Sequence, residues 1–443
     1  MARERGASKP ASALDSDPTV IPPPRLPSQQ LVEARLVSRA LPDPAAEIKA
    51  RLRARLGPEW SGLRVAVAAG SRGIDRYAEV VHAVVATLRA AGAVPFVMPA
   101  MGSHGGGTAP GQADMLQSLG ITPETVGAPI VSEVDTVELA RAPLGFRVLT
   151  ARNAMEADAV VLVNRVKPHT DFASPVLGSG LLKMSTIGLG KIEGAFECHL
   201  AASRHGYEAV IREAARVVIA RLPRLLGVGL VEDARHQLAR VEVLAGAELE
   251  AREPELLGQA RDWMPSLPFP KIDLLILDEI GKNVSGAGMD PNIVGRGVDG
   301  RPRDDRRITV RTLYVRGLTP ESHGNAVGMG LADVVRSRLV EEMDPKSTYT
   351  NALSAMTPAM VRTPMHFASD AECLRAALRV CGADEATARI VRVRNTLALG
   401  RLVISPALAE EARGRDDLRV VEAPRDWTFD AQGDIAPDLL APA

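Results

Sequence analysis

"RVAVAAGSRGIDRYAEVVHAVVATLRAAGAVPFVMPAMG" (Arg64–Gly102) decides the fold class. It opens on an unbroken apolar run that stops at Gly70. The residues from Asp75 to Gly92 then repeat apolar side chains at helical spacing and end on glycine, and "VPFVMPAMG" begins a second apolar run. A run of Val and Ala without polar alternation reads as a strand buried on both faces. Strand, helix, strand is the repeating unit of a parallel sheet. Outward from there, "ADAVVLVNRV" (Ala157–Val166) is a third such strand and "GYEAVIREAARVVIARL" (Gly206–Leu222) another amphipathic helix. A polar stretch, "ELEAREPELLGQARDWMPSLPFP", reads as the passage to a second unit. That unit opens on the strand "KIDLLILDEIG" and continues through "ITVRTLYVRG", "LADVVRSRLVEEM" and "ARIVRVRN". The expectation is two α/β domains with mainly parallel sheets and a site in the cleft between them. A Pro-rich arm spans residues 1–27, the first domain 28–264 and the second 265–443.

The chain has 443 residues, too many for one compact core, and 46 % are hydrophobic but only 3 % aromatic. Its cores must be assembled from Ala, Val, Leu and Ile. A formal net charge of −1 leaves no field for nucleic acid or an anionic membrane, and neither is expected as a partner. Three cysteines, Cys198, Cys373 and Cys381, form neither a disulfide framework nor a four-ligand metal spacing, so a reducing cytoplasm is expected. No apolar run approaches roughly 18 residues, and no signal-like segment opens the chain.

Chemistry gathers at the strand ends. "AAGSRGI" follows the first strand, "PAMGSHGGGT" the second and "NRVKPHTDF" the third, so Arg72, His104 and His169 each fall just after a strand. In a doubly wound sheet these loops converge on one edge, where ligands bind. Arg72 offers a bidentate fork for a carboxylate or phosphate, and histidines exchange protons near neutral pH. The glycines at 105–107 and at 178 and 180 expose backbone N–H groups that suit an oxyanion. Lys183 and Lys191 suit anion pairing or nucleophilic chemistry. Each residue alone reads equally well as a turn, a cap or a solvated side chain; together they read as an anion-binding site with histidine chemistry.

The motifs "GSRGI", "GSHGGGT", "NRVKPH", "GSGLLK" and "ECH" occur in this order within residues 60–210. In this they resemble the nickel-pincer nucleotide-dependent lactate racemases and their 2-hydroxyacid racemase and epimerase relatives. The resemblance implies that Arg72 holds the substrate carboxylate and that His104 and His169 serve as alternate acid/base groups. It implies that Lys183 carries the nickel-pincer nucleotide covalently, as a thioamide, and that His199 completes nickel coordination. Ser71, Gly180 and Lys191 are expected around that cofactor. Cofactor-synthesising proteins are implied as transient partners, and a small 2-hydroxyacid as substrate. Cys198 reads as a buried small residue rather than a ligand.

The second half departs from the lactate racemases. The Tyr-Gln pair and lysine that grip lactate have no counterpart motif. In their place stands "DEIGKNVSGAGMDPNIVGR" (Asp278–Arg296), where Lys282 and Asn283 are the expected substrate contacts, with Asp290 and Asn292 beside them. His323, Thr348, Tyr349 and Asn351 lie in further polar loops. A 2-hydroxyacid larger than lactate follows as the expected substrate. Two rival readings use the same residues: a zinc hydrolase built on His104, His169 and His199, and a non-catalytic binder of a nucleotide or of the cofactor.

Overall fold

The computed structural model describes residues 24–303, 307–436 and 438–440. The strands in chain order are β1 (Gln30–Ala34), β2 (Arg64–Ala69), β3 (Val94–Pro99), β4 (Thr136–Arg141), β5 (Arg147–Ala151), β6 (Ala159–Arg165), β7 (Leu225–Glu232) and β8 (Leu238–Ala245). They continue as β9 (Lys271–Leu277), β10 (Thr309–Val315), β11 (Val334–Arg336), β12 (Met365–Phe367), β13 (Ile390–Val393), β14 (Arg401–Ile404) and β15 (Leu418–Val420). They form a five-stranded sheet of order β3-β2-β6-β7-β8 and an eight-stranded sheet of order β12-β11-β10-β9-β13-β14-β1-β15; β4 and β5 make a separate hairpin. The first sheet is parallel apart from its edge strand β8, and the run from β12 to β13 in the second is parallel throughout.

The apolar strand runs are explained by burial on both faces. Ala66, Ala68, Val160 and Leu162 pack into one core, under the helices Lys191–His205 and Tyr207–Arg221. Their neighbours Val65, Val67, Ala69, Val161 and Val163 pack into the other, under the helix Tyr77–Ala90. The side-chain period of two thus divides one apolar run between two cores. The second sheet repeats the division, with Leu275, Leu277, Leu313 and Val315 on one side and Leu274, Ile276 and Tyr314 on the other. Among the described residues no helix is long and apolar enough to cross a membrane.

One segment departs from the expected partition. β1 falls within residues 28–264 but pairs antiparallel with β14 and β15 in the eight-stranded sheet. Leu31 and Val32 are both buried, one on each face, so this short strand needs covered neighbours on both sides. The polar stretch near residue 250 is the helix Leu249–Trp263, packed along β7 inside the expected first domain, and the chain passes from it to β9. Most of the expected Pro-rich arm, residues 1–23, lies outside the described residues.

The carboxyl edge of the second sheet is closed by charge. Asp278 follows β9 and accepts from Arg316 Nη1 (2.8 Å) and Arg392 Nε (2.7 Å). Asp370 is fully buried at the start of the helix Asp370–Cys381. It takes Arg316 Nη2 (2.5 Å), Tyr314 Oη (2.5 Å) and the Ile435 N–H (2.9 Å). Arg336 bridges Asp370 to Asp434 in the C-terminal tail. Removing one partner of such a network leaves buried cations uncompensated, which costs about 3–5 kcal/mol. Asp370→Ala should therefore lower unfolding free energy by roughly that amount in denaturant titrations; a loss under about 1 kcal/mol would mean the network is not buried as described.

Candidate active site

Strand order brings the predicted residues together. β2 lies between β3 and β6, so the Arg72 loop stands between the loop carrying His104 and the loop carrying His169. Arg72 is reached by solvent along the cleft but lies deep among protein atoms. Burial lowers its pKa, Arg165 adds to the effect and Asp171 opposes it. Its guanidinium rests on Gly286 of the second domain, where any side chain would collide with it.

His104 lies in a loop that only glycine can complete, since Gly105, Gly106 and Gly107 all have positive φ. Gln112 holds this loop through the carbonyls of Gly102 (2.9 Å) and His104 (3.3 Å). His104 Nδ1 is hydrogen-bonded to Ser71 Oγ. Burial holds the ring's pKa well below its ordinary value, and Arg72, Lys183, Lys282 and His199 push the same way. The ring is neutral at physiological pH.

His169 is buried, and its Nδ1 accepts the backbone N–H of Asp171 (3.0 Å), so the neutral ring carries its proton on Nε2. Burial lowers its pKa to about 3, with Lys183 adding to the effect and Asp171 opposing it. The ring stacks on Phe172 at 4.4 Å between centroids, and Phe172 stacks on Tyr207 at 5.0 Å. Tyr207 Oη in turn meets His199 Nδ1 at 2.9 Å. His199, on the helix Lys191–His205, has its pKa lowered to about 4 by burial and by Lys183.

Lys183 ends a short turn, Leu181–Lys183, that runs into a π-helical segment, Met184–Gly188. π-segments of this kind are frequent at functional sites. Two anchors fix the turn: Asn164 Nδ2 donates to Gly180 O (3.1 Å), and Leu182 N–H donates to Glu253 Oε2 (2.8 Å). Among the described residues the Lys183 ammonium has no hydrogen-bond or ion-pair partner. Burial lowers its pKa; Asp171 opposes this and Arg72 reinforces it.

The second domain supplies Lys282, whose Nζ donates to Gly286 O (2.5 Å) and Asn351 Oδ1 (2.6 Å). Burial lowers its pKa to about 8, and Arg72 contributes. The second domain also grips the His169 loop. Lys167 Nζ pairs with Asp290 Oδ2 (2.7 Å), Asn292 Nδ2 reaches His169 O (3.4 Å), and Arg303 Nη1 donates to Thr170 O (2.9 Å). The site therefore lies between the domains.

Three expected residues serve elsewhere. Lys191 is fully buried, and its Nζ donates to Pro99 O (2.6 Å) and Gln112 Oε1 (3.3 Å). It braces the His104 loop from behind and has no route to a phosphate. Gly180 is small to admit Glu253, whose Oε1 fills the place of a Cβ there. The Asn283 amide oxygen accepts from Thr319 Oγ1 (2.7 Å), and the residue lines a surface pocket of about 450 Å³ with Glu279, Pro320 and Arg394. Ser71 touches His104 and acts through it. Cys198 is buried, and burial pushes its thiol up to about 12, so it behaves as core. His323 is an exposed residue in a left-handed turn, and Tyr349 is exposed.

Asp171, Tyr207 and Glu253 were not legible as site residues. Asp171 is half-buried, and the field of His169, the Thr170 hydroxyl and Lys183 outweigh its burial and keep it ionised. Its position inside "KPHTDF" was the available signal. Chemically, the cleft offers three cationic side chains, one carboxylate and two neutral imidazoles on opposite sides of an arginine. That is a site for an anion undergoing proton transfer.

No protein-family model matches the chain, and no curated protein matches it. Among solved structures it is similar to a crystal structure of a Thermotoga maritima protein, at 14 % identity over 64 % of this chain and 71 % of that one, with a TM-score of 0.45. It is also similar to the lactate racemase apoprotein from Thermoanaerobacterium thermosaccharolyticum, at 11 % identity over 81 % of this chain and 93 % of that one, with a TM-score of 0.47. Resemblances this distant leave the fold and the chemistry to rest on the chain's own residues.

Glu253 gives the site a pH signature. Burial raises its pKa from 4.5 to about 7, against the N–H groups of Leu182 and Leu181. An acid whose folded pKa is raised costs nothing below about pH 4.5, where both states are protonated. The cost then grows up to about pH 7, to the order of 3 kcal/mol. Unfolding free energy should thus contain a component that falls across this window and is absent in Glu253→Gln. Identical pH profiles for the two proteins would refute the assignment.

Proposed function

We propose that this chain is a racemase or epimerase of a 2-hydroxyacid, working with a nickel-pincer nucleotide held covalently on Lys183. One observation carries the reading. An unpaired lysine lies in a cleft with Arg72, and neutral histidines approach from the strands on either side of that arginine. The motif resemblance in residues 60–210 supports it.

The residues fit the group. Lys183 Nζ has no partner to surrender. His199 is neutral, and Tyr207 occupies its Nδ1, leaving Nε2 for a metal. Among the described residues no three His, Cys, Asp or Glu side chains converge to hold an ion. A metal at His199 would therefore take its other donors from a bound organic group, whereas a hydrolytic zinc would need them from the protein. Such a cofactor, when bound, supplies the acceptor for the substrate's hydride.

The protein orients the substrate and handles protons. Arg72 and Lys282 hold the substrate carboxylate from opposite domains. His104 can carry its proton on Nδ1, toward Ser71 Oγ, because a hydroxyl both donates and accepts. Nε2 is then free to take the substrate's hydroxyl proton. His169 presents Nε2–H to the other side. To act as the base, His169 gives up the Asp171 N–H and carries its own proton on Nδ1, toward Asp171 Oδ1 4.0 Å away, which frees Nε2 to take the substrate's proton. Two acid/base groups with the carboxylate fixed between them are what inversion at the 2-position requires.

In protein loaded with the cofactor, His104→Ala and His169→Ala should keep their nickel and lose racemisation about 10²–10⁴-fold, read by chiral chromatography over a panel of 2-hydroxyacids. Full turnover in either variant would rule out the two-base scheme. Burial holds His104 well below its ordinary value and His169 at about 3, so both are neutral at neutral and alkaline pH. The alkaline limb belongs to Lys282, whose charge is lost as pH rises through about 8. kcat/KM should fall there, and Lys282→Arg should move the fall to higher pH.

A further inference from the structure

The chain is built on arginine, with 45 arginines against 8 lysines. Among so many arginines, a buried lysine raises the question of what an amine does there that a guanidinium cannot. Four of the eight, Lys167, Lys183, Lys191 and Lys282, lie in or against the candidate site. Lys167 pairs with Asp290, Lys191 donates to Pro99 O and Gln112, and Lys282 donates to Gly286 O and Asn351. Lys183 has no such partner among the described residues. Lys49, Lys271 and Lys346 are exposed.

We propose that the chain without its cofactor carries a covalent site for 2-oxo acids, in which the Lys183 amine condenses with the keto carbon of an acid whose carboxylate lies on Arg72. The chemistry balances without a redox partner. Nζ, as the free amine, attacks the keto carbon, and the former carbonyl oxygen takes a proton to give a carbinolamine. That hydroxyl leaves as water with a second proton while nitrogen sheds its own, so amine and ketone become imine and water. His104 and His169 are the neutral groups placed to pass these protons. Burial and the charge of Arg72 both favour the uncharged amine, as nucleophilic lysines need; Asp171 works against them. The same arginine that activates the amine holds the acid beside it. A 2-oxo acid is also the oxidised partner of a 2-hydroxyacid, so the site would meet such compounds in its proposed role.

The test uses the full chain from a host that does not make the pincer cofactor, treated near neutral pH with pyruvate and cyanoborohydride. Intact mass and peptide mapping should show one carboxyethyl group per chain, on Lys183. Acetone, a ketone without a carboxylate, should modify that residue at least tenfold more slowly. Arg72→Gln should slow the pyruvate reaction toward the acetone rate, and Lys183→Arg, checked for folding by circular dichroism, should take up none. Label spread evenly over Lys49, Lys271 and Lys346, no label on Lys183, or an Arg72→Gln rate equal to wild type would each overturn the proposal. The mixture contains neither nickel nor nucleotide, so its outcome is independent of the cofactor assignment.

Discussion

The loop from Lys167 to Phe172 is held by both domains, and the site depends on that grip. It leaves the first sheet after β6, while Asp290, Asn292 and Arg303 of the second domain hold its side chains and carbonyls. Within six residues it presents His169, Asp171 and Phe172. It passes its order on through the stack of His169, Phe172 and Tyr207 to His199 on the following helices. Unlatched from the second domain, Lys167 and Asp290 would lose their charge partners. Asp290 is nearly inaccessible, so that loss is expensive. The domains are thus joined at the His169 loop itself, and their relative position sets where that histidine stands.

Charge and burial act together on the cleft. Burial is the largest cause that keeps both histidines neutral; Arg72, Lys183 and Lys282 add to it at His104, and Lys183 at His169. Asp171 offsets part of that positive field, so the cleft keeps net positive character and a carboxylate entering it completes the balance. The scaffold beneath is small-residue backbone: three left-handed glycines at the His104 loop, and Gly180 where Glu253 seats the Lys183 turn. Lys191 and Gln112 brace the first of these from inside the protein. Behind the opposite sheet edge, Asp278 and Asp370 tie three arginines to the strand ends and the tail, keeping that edge rigid where the Lys282 loop departs.

The strands were legible because burial on both faces forces unbroken apolar runs, and the loops because parallel topology places strand ends together. Arg72, His104, His169 and Lys282 follow from that logic, whereas His199 and the anchoring role of Lys183 came from the motif resemblance. β1 was misplaced because five residues carry no mark of which sheet they join. Lys191 was misread because it stands only eight residues from Lys183 in sequence. The π-segment and the positive φ at Lys191 turn it into the core, and periodicity does not encode either. Glu253 hid in a polar-looking helix, where one buried carboxylate among many exposed ones leaves no trace in composition. Asn283 follows Lys282 directly, and neighbours in a loop point apart.

Everything proposed for this cleft turns on Lys183 as its covalent anchor. Its most direct test is the intact mass of the denatured chain after co-expression with pincer-synthesising enzymes, with peptide mapping and nickel analysis. A single adduct on the Lys183 peptide, with nickel in the native protein, is the expected result. An unmodified Lys183 and no nickel, under conditions in which an authentic lactate racemase is loaded, would contradict it.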